Sequence, residues 1–268
     1  MTEALGERDR RLGNVVDGRT LDEYGQRGGD HFVLSRDEDG VLVIRAHTAG
    51  SAAAWSRGLL NAWVLLLAEV GADRRNEVVV ITGTGDAWIG GVQPESFSSP
   101  ASQWHSDEVD EQYSDGVRML ERLVMDLEVP TIAVLNGPGP RQEIALLCDL
   151  TLCSNTVTIG DGNFTAGSVP GDGMYLVLSE LIGPKRAAYL AYTGSRMTAA
   201  EAMAAGVVNE VLPRDQLLPR ALEIAAQIRA KPRSARRLTH GVVSRSWQRA
   251  VVQGLRESYA QQVLAMTR

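Results

Sequence analysis

Lysine is nearly missing from this chain of 268 residues. Of its 27 basic residues only Lys185 and Lys231 are lysines, so arginine carries almost all the positive charge. Histidine is scarce too, with four copies, and phenylalanine has three. Only two cysteines occur, Cys148 and Cys153; in a strand that odd spacing places them on opposite faces, which argues against a disulfide. No uninterrupted apolar run is long enough to span a bilayer, and the N-terminus lacks a charged-then-apolar leader pattern, so a cytoplasmic location without membrane contact is expected. A net charge of −6 argues against nucleic acid as a partner. No metal-ligand spacing is present, and Gly83-Thr84-Gly85 is neither a nucleotide fingerprint nor a phosphate loop. Neither a metal nor a cofactor is expected.

What remains is the pattern of an ordinary globular chain, 44% hydrophobic and 22% charged. Residues 1–29 read as a loosely held polar arm. Phe32–Leu34 and Val41–Ile44, around the turn Asp37–Gly40, read as a β-hairpin. Trp55, Leu59, Trp63, Leu66 and Val70 recur at helical steps. Val78–Thr82 and Thr131–Leu135 are β-branched, apolar runs, as expected of strands covered on both faces. Residues 98–112 read as a surface loop, followed by a helix through Val117, Leu120, Val124 and Leu127. Leu146–Leu152 reads as strand. After Gly173 the chain turns helical, with a last stretch, Ser234–Met266, interrupted around Gly241 and Gly254. The expectation is an α/β core over 30–195 and a helical lobe over 196–268.

The loops that follow the strands are specific. One strand leads into Gly83-Thr84-Gly85-Asp86-Ala87-Trp88-Ile89-Gly90-Gly91, another into Asn136-Gly137-Pro138-Gly139-Pro140-Arg141-Gln142-Glu143. Val169-Pro170-Gly171-Asp172-Gly173, Tyr192-Thr193-Gly194-Ser195-Arg196 and Gly206–Pro213 follow. In this order and spacing the chain resembles the crotonase (enoyl-CoA hydratase/isomerase) superfamily over about residues 30–268. The resemblance implies an α/β spiral core of ββα turns with a C-terminal helical trimerisation lobe, assembling as a homotrimer or hexamer. Within the superfamily the chain is similar to β-diketone hydrolases of the 6-oxocamphor hydrolase type. These cleave a carbon–carbon bond of a small diketone by a retro-Claisen reaction, through an enolate and without coenzyme A.

The resemblance also nominates residues. Gly90 and Gly91 occupy the family's first oxyanion loop, where backbone N–H groups meet developing negative charge. The loop for the second donor is altered to Gly139-Pro140-Arg141-Gln142, and Pro140 has no N–H to offer. Glu143 matches one of two hydratase glutamates, while Asn163 stands at the other, which removes direct water addition to an enoyl thioester by an acid–base pair. Matched to the diketone hydrolases, Trp55 and Asp172 are retained. Arg141, Asn163 and Gln262 fall where two histidines and a glutamate are expected. All three changes remove a group that titrates near neutral pH. Asp172 is then the best proton shuttle, Arg141 a fixed cation for an enolate or carboxylate oxygen, and Asn163 a donor to a carbonyl. Phe164, beside Asn163, is placed with Trp55, Gly90, Gly91 and Gln262 among substrate-binding residues. His47 and His105 are weaker candidates. Three readings follow: a hydrolase of a cyclic or polyketide-like diketone; a diverged isomerase, dehydratase or cyclase of secondary metabolism using Asp172, Arg141 and Asn163; or a scaffold without chemistry.

Overall fold

The computed structural model of the protein describes residues 19–97 and 100–268. In chain order the elements are α1 (Leu21–Arg27), β1 (Phe32–Arg36), β2 (Val41–Thr48), β3 (Ser51–Ala52), β4 (Ala54–Trp55), α2 (Arg57–Ala72), β5 (Val78–Thr82) and β6 (Gly91–Val92). Then come α3 (Ser106–Met125), β7 (Thr131–Leu135), α4 (Glu143–Leu146), β8 (Leu150–Ser154), β9 (Thr158–Ile159), α5 (Met174–Ile182) and α6 (Pro184–Thr193). The chain ends with β10 (Met197–Thr198), α7 (Ala199–Ala204), β11 (Glu210–Leu212), α8 (Arg214–Arg229), α9 (Arg233–Val243), α10 (Arg245–Ala250), a π-helical turn over Val251–Leu255 and α11 (Arg256–Met266).

The main sheet runs β1-β2-β5-β7-β8-β11, with β3 hanging from β2; only the β1–β2 and β2–β3 pairings are antiparallel. Two small sheets, β4–β6 and β9–β10, complete it. The central strands alternate between two cores. Val79 and Ile81 of β5 join the large core with α2, α3 and the C-terminal helices, while Val78 and Val80 face Leu217, Ala221 and Ala225 of α8. Both faces are covered, which is why these strands are apolar without interruption. Past residue 195 the chain still returns twice to the sheets, through β10 and β11.

Several local expectations change. Residues 1–18 of the expected arm lie outside the described residues, but Leu21–Arg27 is a capped helix with Tyr24 only 2% exposed, so this part of the arm is packed. Trp55 is not in the helix; it closes β4, and Ser56 caps α2 by accepting from the Leu59 N–H. The loop expected over 98–112 holds the first turns of α3 from Ser106, whose buried positions Gln112 and Gly116 are too small or polar to show as an apolar stripe. In Leu146–Leu152 only Leu150 onward is strand. Cys148 lies in the preceding turn and Cys153 in β8; both are free and buried, so their separation does not arise from one strand. The break in the tail falls at Ser244, with Gly241 inside α9 and Gly254 in the π turn.

His240 ties α9 to the core. One ring nitrogen lies 2.8 Å from Asp149 Oδ2 and the other 2.7 Å from the Leu127 carbonyl. Two acceptors call for two N–H donors, the imidazolium form. Burial opposes that charge, but the Asp149 carboxylate and the Leu127 carbonyl outweigh it, so the pKa lies above the usual imidazole value. The stabilisation is therefore complete below an unfolded pKa of about 6.5 and is lost as pH rises through the higher folded value. Thermal melts of His240→Ala should show a larger deficit against the parent at pH 6 than at pH 9. An equal deficit at both would mean that the contact is not ionic.

Candidate active site

Two loops meet beneath the C-terminal helix. The first leaves β7 at Asn136, which is buried and clamps the neighbouring loop: Oδ1 accepts from the Gly83 N–H at 3.1 Å, and Nδ2 donates to the Gly85 and Ala87 carbonyls at 3.0 and 2.8 Å. Gly137 is required here, because a Cβ would sit 1.8 Å from the Asp86 carbonyl oxygen. The chain then reaches Arg141 with φ of +61°, a left-handed backbone that a bulky residue adopts only when its surroundings enforce it. The enforcing contacts are on its carbonyl, which accepts from Trp88 Nε1 at 3.1 Å and from the Ile144 N–H at 3.3 Å. The Arg141 side chain is thereby turned inward, beside Glu143 at the start of α4.

The second loop leaves β9 through Asp161 and Asn163 and returns at Asp172. Gly171 lets α11 press against it, since a Cβ there would lie 2.1 Å from the Ser258 carbonyl oxygen. Arg141, Glu143, Asp161, Asn163 and Asp172 line one cavity of about 510 Å³.

The polar groups form one network. Arg141 Nη1 donates to Asp172 Oδ2 at 3.1 Å. Asn163 Nδ2 donates to Asp172 Oδ1 at 3.1 Å and to Asp161 Oδ1 at 3.0 Å, while its Oδ1 accepts from Gln262 Nε2 at 3.2 Å. The Arg141 guanidinium carbon stands 4.6 Å from the Trp55 ring centroid, a cation–π stack. Arg141 Nε is 2.8 Å from Glu143 Oε1, yet both atoms lack a hydrogen-bond partner: the groups are close but not aligned for a hydrogen bond. Arg141 Nη2, Asp161 Oδ2 and Gln262 Oε1 are likewise buried without a partner. Such a concentration of unmet donors and acceptors is uncommon in a folded interior.

Burial pushes the Glu143 carboxyl up to about 8, although Arg141 pulls the other way. Glu143 is therefore protonated at neutral pH. Asp161 is also raised, chiefly by burial. Arg141 stays charged: burial opposes its cation, and the neighbouring acids Glu143 and Asp172 more than offset that. The buried Tyr259 hydroxyl accepts from Gln112 Nε2 at 3.2 Å, and burial raises its pKa.

Six of the nominated residues thus come together: Trp55, Arg141, Glu143, Asn163, Asp172 and Gln262. Three do not. Gly90 and Gly91 lie outside the cavity lining, and the Gly90 N–H donates to the Ala53 carbonyl at 2.7 Å in the β4–β6 pairing, so it is not a free oxyanion donor. Phe164 points away, half-exposed, and stacks edge-on with Tyr192, 5.1 Å between ring centroids. Asn163 is corrected in its chemistry: both Nδ2 hydrogens are taken by carboxylates, which leaves none for a substrate carbonyl. His47 and His105 do not line the cavity. Asp161, Trp88 and Tyr259 went unnoticed in the sequence. Asp161 carried a signal, two residues before Asn163 on the same short loop; Trp88 and Tyr259 arrive through contacts across the fold.

Comparison with known proteins agrees with this architecture. The sequence signature of the enoyl-CoA hydratase/isomerase family matches residues 36–264. A crotonyl-CoA hydratase of Syntrophomonas wolfei is 31% identical over 67% of this chain and 68% of its own length. A β-diketone hydrolase from the cyanobacterium Anabaena, solved with (S)-3-oxocyclohexyl acetic acid bound, superposes with a TM-score of 0.86 at 31% identity, covering 91% of this chain and 97% of that one. An enoyl-CoA hydratase/isomerase from Mycobacterium paratuberculosis superposes with a TM-score of 0.81 at 22% identity, covering 89% and 94%, a likeness of fold. Among the described residues, no helix is long and apolar enough to cross a membrane.

Proposed function

The chain belongs to the enoyl-CoA hydratase/isomerase family, and from that premise we propose that this crotonase-fold enzyme opens a carbon–carbon bond of a 1,3-diketone by retro-Claisen hydrolysis, without coenzyme A. The observation that carries the reading is the Arg141–Asp172–Asn163–Gln262 network, with Arg141 Nη2 still lacking an acceptor at the cavity wall. The similar β-diketone hydrolase from Anabaena, with its bound oxo acid, supports the substrate class.

The chemistry divides among the residues. Water adds to one carbonyl carbon while Asp172, oriented by Arg141 and Asn163, takes its proton. Arg141 Nη2 meets the oxyanion that forms, in a site whose low dielectric strengthens the contact. Collapse breaks the carbon–carbon bond, leaving a carboxylic acid and an enolate. Glu143, protonated at neutral pH, returns a proton to the enolate carbon. If it does so, the rate declines as pH rises through about 8.

A second reading is favoured by the lack of any imidazole in the cavity lining. Asp172 and Glu143 then move protons on and off an enolisable carbon without adding water, as in an isomerase or cyclase. Nuclear magnetic resonance in deuterated water with a panel of cyclic 1,3-diketones separates the two. Loss of the enol ultraviolet absorbance with appearance of an oxo acid is the expected result. Enzyme-dependent formation of a rearranged or dehydrated product without ring opening would select the second reading. Binding with neither would leave a scaffold.

A further inference from the structure

We propose that Arg196 forms an anion-binding subsite at the wall of this cavity, and that the ligand presents a carboxylate to it while its ketone end faces Arg141 and Asp172. This rests on the cavity being a small-molecule active site.

The cavity holds two guanidiniums in different settings. Arg141 is matched by carboxyl groups at 2.8 and 3.1 Å. Arg196 has only neutral partners: Nε donates to Thr158 Oγ1 at 3.0 Å, Nη1 to the Gly160 carbonyl at 3.3 Å, and Nη2 to the Thr158 carbonyl at 2.9 Å and Gln142 Oε1 at 3.3 Å. No ion pair within 4.0 Å joins it to a carboxylate among the described residues. Asp161 is the nearby acid; its carboxyl lies beyond ion-pair distance and acts on Arg196 only across that gap, and burial pushes its pKa up. The four contacts fix the guanidinium plane, and one Nη1 hydrogen has no acceptor. Arg196 is exposed, so a ligand can reach it. A fixed cation without an ion-pair partner, lining the same cavity as Arg141, fits a ligand that carries a carboxylate as well as a ketone.

Binding of (3-oxocyclohexyl)acetate and of its uncharged methyl ester can be measured by calorimetry on the parent, Arg196→Gln and Arg196→Lys, with thermal melts to establish folding. The parent should bind the acid more tightly than the ester. Arg196→Gln should weaken the acid about tenfold to a hundredfold and leave the ester unchanged. Arg196→Lys, which keeps the charge, should fall between. Equal binding of acid and ester by the parent, no binding of the acid, or an acid affinity untouched in Arg196→Gln would each overturn the subsite. So would parallel loss of acid and ester in both variants, because Arg196 would then only brace the loops. No turnover is needed for this result: acid binding through Arg196 in a parent that opens no diketone would keep the subsite and reject the hydrolase.

Discussion

Asp172→Asn is expected to lower kcat on any diketone that the parent opens by about 10²–10⁴-fold, with KM within a few-fold. Asparagine has the same shape but no group that can take up a proton near neutral pH. The structure adds a second consequence. Asp172 accepts from Arg141 Nη1 on one oxygen and from Asn163 Nδ2 on the other. An amide can offer an oxygen to only one of them, so the other donor faces an N–H group. The lost hydrogen bond should cost about 1–3 kcal/mol of stability. Rate and melting temperature measured on the same preparations distinguish a chemical role from a collapsed site. A folded Asp172→Asn retaining activity within tenfold would remove Asp172 from the mechanism.

Arg141→Met should be the most damaging single change to stability. It takes the cation from between Glu143 and Asp172 and leaves a buried carboxylate without its partner, a loss of about 3–5 kcal/mol. For a chain of this size that lowers Tm by on the order of 10 °C. Arg141→Gly separates the two features of this residue. It also loses the cation, but glycine adopts the φ of +61° without strain, so it should be less destabilised than Arg141→Met by about 1 kcal/mol. A Met variant as stable as the parent in urea titrations would show that the ion pairs contribute nothing.

Much of this site was legible because its parts sit on loops with distinctive local chemistry. Asn136-Gly137 and Pro170-Gly171-Asp172-Gly173 need glycine for close backbone approach, and such positions are visible in sequence. Their order along the chain fixed the family, and with it Trp55, Arg141 and Asp172. Gly90 and Gly91 misled for the converse reason. A glycine pair permits an exposed N–H, yet it permits strand pairing equally well, and only the position of Ala53 decided between them. Asn163 likewise shows as a potential donor, while the two carboxylates that occupy it come from Asp161 and Asp172 after folding.

By itself the sequence determined the two-sided sheet, since runs such as Val78–Thr82 and Thr131–Leu135 are stable only when covered on both faces, and it determined which loops follow those strands. The tertiary structure alone decided which atoms in the loops remain free. Gln262 illustrates the difference. It reaches Asn163 from a helix whose phase is reset by the π turn over Val251–Leu255, where a Cβ on Gly254 would stand 3.3 Å from Leu176 Cδ1. A wider turn shifts every later residue around the helix axis. That shift depends on packing between segments far apart in sequence, so residue spacing along α11 puts Tyr259 and Gln262 on one face but does not say that this face points inward.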